Sequence, residues 1–182
     1  LQSYTTYELP CRKDVLKESE GVLFAQLGVR EATNHNDGFM VETYLASVGL
    51  GRGNPYCAAV QYYCFAESVR LLGIDPIYIP IPKTGSTQSV YNFAQSNGKR
   101  IKNNPQRNDL VIWRLGKSGS GHVGRIVGVG KAGWVQTIEG NTESGSQGNQ
   151  RDGGGVYEKR RCLNHVLGRM YVRGLIHFKP IG

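Results

Sequence analysis

Two side chains in this 182-residue sequence are spaced to do nucleophilic chemistry, Cys57 and His122. Cysteine becomes a strong nucleophile where its thiolate is stabilised, and a helix start does this through unpaired N–H groups and the positive end of the helix dipole. In Gly53-Asn54-Pro55-Tyr56-Cys57-Ala58-Ala59, Asn54 reads as a helix cap and Pro55 as the first helical residue, so Cys57 falls in the first turn. The other N–H groups of that turn are suited to hold the oxyanion of a tetrahedral intermediate in acyl transfer. Cys64 lies two helical turns on, ~10.5 Å along the axis, too far for a disulfide to Cys57 and at a core position.

A thiol of this kind needs a base that is held in place. Of His35, His122, His165 and His177, it is His122 that sits in a constrained context, opening a strand in Gly121-His122-Val123-Gly124. The small flanking residues leave room for another backbone or a substrate beside the ring. If Gly130-Lys131-Ala132-Gly133 closes a hairpin, Val129 faces Trp134, and counting back sets Gly124 opposite Glu139 and His122 opposite Asn141. His122, Glu139 and Asn141 then project from one face. The imidazole needs an acceptor on its second nitrogen, and either the Glu139 carboxylate or the Asn141 amide oxygen can serve. A one-residue slip would scatter the set. Taken singly, each residue has a plainer reading, a small core cysteine or two polar residues opening a loop.

The elements that must position these groups follow from hydrophobic spacing. Val15, Leu16, Val22, Leu23 and Leu27 recur at helical intervals between Asp14 and Leu27, with Gly28 as the stop. A second helix is expected from Asp37, which can cap it, to Gly49, and a third from Asn54 to Gly73 with Ala58, Phe65, Val69 and Leu72 on its buried stripe. Residues 74–106 read as a surface connection with a short helix around Val90 to Gln95. After Asn108 the period becomes two, and Asp109 to Leu115, His122 to Val129, Trp134 to Glu139, Val156 to Arg161 and Met170 to Phe178 read as strands. Helices first and antiparallel strands later define an α+β class. Gly140 to Gly155 reads as a long loop that borders the substrate cleft.

Composition narrows the options. A chain of this length is expected to form one domain spanning residues 1–182. No stretch approaches the ~18 consecutive apolar residues of a membrane span. The net charge is +8, and from Lys99 onward there are 15 Lys/Arg against 5 Asp/Glu, a field that favours polyanions such as nucleic acid or an anionic cell wall. Scattered solvated strand charges, clustered only in Lys159-Arg160-Arg161, are the plainer explanation. Cys11, Cys57, Cys64 and Cys162 show no zinc-type spacing, and at most one disulfide can form among Cys11, Cys64 and Cys162 if Cys57 is a reactive thiol. Trp113, Tyr56 and Trp134 could line a groove but have the spacing of core residues.

Four segments in order carry a family resemblance: Gly53 to Ala59, Asn108-Asp109-Leu110-Val111-Ile112-Trp113, Gly121 to Gly124, and Thr137-Ile138-Glu139-Gly140-Asn141-Thr142. They resemble the successive motifs of the CHAP family, the cysteine, histidine-dependent amidohydrolases/peptidases, which are NlpC-related. Asn36-Asp37-Gly38 with Val41, Tyr44-Leu45 and Val48-Gly49 is similar to the lead-in of one branch. The likeness runs from about Gly28 to Phe178 and is thinnest over residues 74–106.

The resemblance implies a papain-like α+β fold, Cys57 as nucleophile, His122 as base, Glu139 and Asn141 as orienting or polarising groups, and no cofactor. Asn34-His35-Asn36-Asp37 offers one carboxylate where some relatives bind calcium, too few for a tight site. The expected activity is cleavage of an amide bond in bacterial peptidoglycan, as an N-acetylmuramoyl-L-alanine amidase or an endopeptidase, through a thioester. Alternatives of the same chemistry are an interbacterial toxin, another protease or a glutathione-conjugate amidase; a catalytically idle wall-binding domain is a third. The expected partner is peptidoglycan or a muropeptide, with neither nucleic acid nor membrane, and an inhibitor or immunity protein as a further candidate. The chain is expected to be a monomer. It starts at Leu1 with neither an initiator Met nor an apolar signal segment, compatible with a leader removed on export to the periplasm or medium.

Overall fold

Described over residues 4–142 and 153–182, the computed structural model opens with a strand. β1 (Tyr4–Arg12) runs directly into α1 (Lys13–Ala25), followed by α2 (Phe39–Ser47), α3 (Cys57–Leu72), a 3-10 turn (Pro76–Tyr78) and α4 (Thr87–Asn97). Six strands complete the order: β2 (Lys99–Asn103), β3 (Leu110–Leu115), β4 (Gly121–Val129), β5 (Trp134–Thr142), β6 (Gly155–Cys162) and β7 (Met170–Ile181). They join β1 in one sheet of order β2-β1-β7-β3-β4-β5-β6. This is the expected α+β, papain-like class. The centre of the expected loop from Gly140 to Gly155 lies outside the described residues.

Two strands depart from expectation. β1 pairs in parallel with β7, from Thr6 opposite Leu175 to Arg12 opposite Ile181, so the first and last strands are neighbours. Pro10 lies within β1, although proline cannot donate to a ladder. The pairing with β2 covers only Tyr4 to Glu8, so Pro10 lies where β1 has a partner on one side, the edge position at which proline is tolerated. β2 itself is a short basic edge strand, and its lysines and arginine are the charges that keep exposed edges from pairing with other chains.

Residues 74–106 are not a mere surface connection, because they contain α4 and β2. Val90, Tyr91 and Ala94 of α4 are buried in the same core cluster as Tyr7, Ile112 and Phe178. The helix caps also differ from expectation. Tyr56 occupies the cap position of α3 while the Asn54 amide donates to Gly51 O at 2.9 Å. Gly38 caps α2, and Asp37 instead accepts from the Thr33 backbone N–H at 2.9 Å and the Thr33 hydroxyl at 2.5 Å. In both places a local side-chain bond outcompetes the cap.

α3 is the helix that matters for the site. It buries Ala58, Phe65 and Val69 in one cluster and Ala59, Val60 and Cys64 in a second. Phe65 meets the Phe178 ring edge-on at 5.1 Å between centroids. The start of α3 touches the end of β5: a Cβ on Gly140 would stand 2.5 Å from Val60 Cγ2, so only glycine permits this approach. Gln61 Nε2 donates to Ile138 O at 3.4 Å across the same contact. Behind it, the buried Arg125 of β4 ties α1 to the sheet. Its Nη2 donates to Ser19 Oγ and Asn108 Oδ1, both at 3.0 Å, while its guanidinium stacks 4.9 Å from the Phe65 centroid. Burial lowers its pKa to about 10.

Candidate active site

Cys57 is the first residue of α3, buried, with 4% of its surface exposed. The first capping bond of the helix runs from Val60 N–H to Tyr56 O at 3.0 Å, so the N–H groups ahead of it have no intrahelical acceptor. They supply the positive helix end that the sequence led one to expect. Cys57 borders an open pocket of about 170 Å³ lined also by Pro55, the start of α4 at Ser86 and Thr87, the β3–β4 turn at Ser120 and Gly121, and Asn141. Cys11 and Cys64 are buried, and burial pushes both thiols up to about 12, which leaves them inert as nucleophiles. All four cysteines are free thiols.

His122 is fully buried near the start of β4, opposite Trp113 in the ladder, with the two rings 5.8 Å apart at 36°. Its Nε2 donates to Glu139 Oε1 at 2.8 Å. Nδ1, the other nitrogen, has no aligned hydrogen-bond partner among the described residues. The Cys57 thiol lies close enough to that ring to raise its basicity. Burial alone would hold the ring neutral; the nearby Cys57 thiol and the hydrogen bond to Glu139 outweigh it and lift the pKa to about 9. A thiol and an imidazole whose far nitrogen is held by a carboxylate form the row needed for nucleophilic acyl transfer.

The hairpin reached this arrangement by a route the sequence count missed. Val129 pairs with Val135, not Trp134, so the register at the tip is shifted by one. A bulge between Ile126 and Gly128 takes up the extra residue, and Ile126 faces Thr137 and Arg125 faces Ile138, the pairing the site requires. The glycine before the bulge also has a different purpose from the expected one. A Cβ on Gly124 would lie 2.8 Å from Glu139 Cγ and 3.2 Å from Thr137 Cβ, so the space belongs to the carboxylate and not to substrate. Gly124→Ala is expected to displace Glu139 and lower kcat on the order of 10²-fold, read by steady-state kinetics beside a thermal melt.

Asn141 separates from Glu139. It takes a left-handed φ of 58°, at the break in register between Glu139 and Thr142, a conformation asparagine tolerates better than most residues. Glu139 holds the His122 ring, while Asn141 is buried beside Cys57 at the cavity wall. The other histidines lie elsewhere: His35 bonds Thr33, His165 meets the Trp134 ring, and His177 pairs with Asp109 at 2.8 Å.

Arg161 was not anticipated. From β6 its Nε donates to Glu139 Oε2 at 2.8 Å and its Nη2 to Oε1 at 2.5 Å, with 9% of the residue exposed. The Thr137 hydroxyl adds a 2.5 Å bond to Oε2. Burial would raise the Glu139 pKa, but Arg161 and then His122 pull it down to about 2. The signal existed in the sequence: in Lys159-Arg160-Arg161 strand alternation sends residues 159 and 161 to one face, and both are buried while Arg160 is exposed.

These shifts fix a pH window. Glu139, depressed from 4.5, contributes stability that is present above about pH 4.5 and lost as pH falls toward 2. His122, raised from 6.5, contributes stability that is present below about pH 6.5 and lost as pH rises through about 9. The pair is therefore expected to stabilise the fold most between roughly pH 4.5 and 6.5, checked by melting temperature across pH.

An α+β sheet protein with a buried helix-start cysteine beside a carboxylate-held histidine has the architecture of the papain-like cysteine hydrolases. Residues 49–141, just over half of the chain, match the CHAP domain model. The chain belongs to the CHAP family, a family of cysteine, histidine-dependent amidohydrolases/peptidases. No curated protein and no solved structure matches the chain.

Proposed function

We propose that the domain hydrolyses an amide bond of bacterial peptidoglycan, either the bond joining the glycan to its stem peptide or one within the peptides. The observation that carries the reading is the buried row from Cys57 through His122 to Glu139, set at a cavity that Asn141 borders. Cys57 Sγ attacks the carbonyl carbon as its proton passes to His122, and the first-turn N–H groups of α3 face the developing oxyanion. His122 gives the proton to the leaving amine, leaving a thioester. Water, deprotonated by His122, then releases the acyl group as a carboxylic acid and restores the thiol.

Family membership supports amide hydrolysis, and the positive charge of residues 99–182 suits an anionic wall polymer. Such a substrate lies in the cell envelope, which makes the periplasm or the medium the place of action. The test is digestion of purified sacculi with products identified by mass. Soluble muropeptides carrying one new amine and one new carboxyl group are the expected result. Proteins or glutathione conjugates cut in place of sacculi would move the substrate class and leave the mechanism intact.

A further inference from the structure

The carboxylate that holds His122 faces a difficulty of its own. Glu139 is fully buried, and a buried carboxyl group without compensation takes up a proton. A protonated Glu139 could donate to Nε2, which would drive the imidazole hydrogen onto Nδ1 and turn a donor toward Cys57. The base would then present the wrong tautomer. Among the described residues, donors besides His122 prevent this: Arg161 Nε on Oε2, Arg161 Nη2 on Oε1, and the Thr137 hydroxyl on Oε2. A planar guanidinium forked across both carboxylate oxygens is the geometry that arginine provides and lysine does not.

We propose that Arg161 is a positioning residue of this centre: its fork across Glu139 keeps the carboxylate an ionised acceptor, which fixes the His122 tautomer and completes a buried row of alternating charge. The proposal rests on the reading of Cys57 and His122 as nucleophile and base. When the Sγ proton moves to Nδ1, the bond broken is S–H and the bond formed is N–H, with Nε2–H staying on Glu139. The row is then thiolate, imidazolium, carboxylate and guanidinium, which sums to zero, as does the same row before transfer. Activation of the thiol therefore adds no net charge to the interior. Among the described residues, the charged or titratable groups facing Glu139 are His122 from β4, Cys57 beyond it from α3, and Arg161 from β6, where Tyr157 lies opposite Glu139 in the ladder and Lys159 is buried on the same face opposite Thr137.

The test reads the thiol directly and needs no substrate. The rate of Cys57 alkylation by iodoacetamide is followed from pH 4 to 10 by the mass of the Cys57 peptide, in the parent, Arg161→Met, Arg161→Lys and Glu139→Gln. The Arg161→Met profile is expected to move its acid limb up by about one pH unit, making alkylation at pH 6 ~10-fold slower, with Arg161→Lys recovering part of the loss. On a substrate that is turned over, the loss should fall on kcat and not on KM. A folded Arg161→Met protein with the parent profile overturns the proposal. If that variant does not fold, the Glu139→Gln/Arg161→Met pair removes both charges together. Its profile should match Glu139→Gln alone, and a parent-like profile would again overturn the idea. A parent protein whose Cys57 reacts no faster than Cys162 would instead sink the nucleophile reading beneath it, whichever polymer or peptide is the substrate.

Discussion

Cys57→Ala should fold as the parent does and release no product above background, a fall in kcat on the order of 10⁶-fold. The size follows from covalent catalysis: without sulfur there is no thioester, and water alone must attack while His122 and the α3 amides remain in place. The stability change should be small, about 1 kcal/mol, because the lost atom borders the cavity and the methyl group still packs at the head of α3. Product release from sacculi and a circular dichroism melt together make the measurement. Muropeptide release that survives in Cys57→Ala would refute the thioester mechanism, and Cys11 or Cys64 could not rescue it, since burial holds both thiols protonated.

Glu139→Gln and Glu139→Ala separate orientation from charge. Glutamine keeps the size and can still accept from Nε2, but it also presents a donor and cannot neutralise Arg161. A kcat loss of about 10²–10⁴-fold is expected, with KM changing much less. Alanine removes the acceptor as well and takes the forked carboxylate away from the buried Arg161 guanidinium, a defect that costs about 3–5 kcal/mol at neutral pH. The penalty should shrink as pH falls toward 2, because the parent carboxylate then protonates and loses its own advantage. Denaturant unfolding at pH 7 and pH 3 checks this. An alanine variant equally destabilised at both values would show that the carboxylate contributes by shape alone.

Parts of the site were legible because they are local. A cysteine after Pro55 at the head of a strongly patterned helix, and a histidine between small residues at the head of a strand, need only neighbours in sequence to be interpreted. Glu139 was legible through a count along a hairpin. The count began from a wrong pair at Val129 and reached the right one because the bulge between Ile126 and Gly128 absorbed the difference. Bulges leave no reliable trace in hydrophobic alternation, so that agreement was not earned by the pattern.

Arg161 and β1 were not legible for a related reason, since each takes its meaning from a strand pairing distant in sequence. The fork of Arg161 depends on the register between β5 and β6, which the intervening segment does not dictate. β1 finds its partner nearly the whole chain away, beyond the reach of local pattern. The misplaced caps at Asn54 and Asp37 are different: each residue bonds a neighbouring turn, and side-chain propensity alone does not distinguish the two uses.

The placement of β7 between β1 and β3 carries a consequence for biosynthesis. β7 follows the other six strands in chain order yet is an interior rung of the ladder, so the two flanks of the sheet cannot be joined until it has been made. Contacts that span so much sequence close slowly. Formation of the whole sheet therefore waits on the slowest of its pairings, the docking of β7 between β1 and β3.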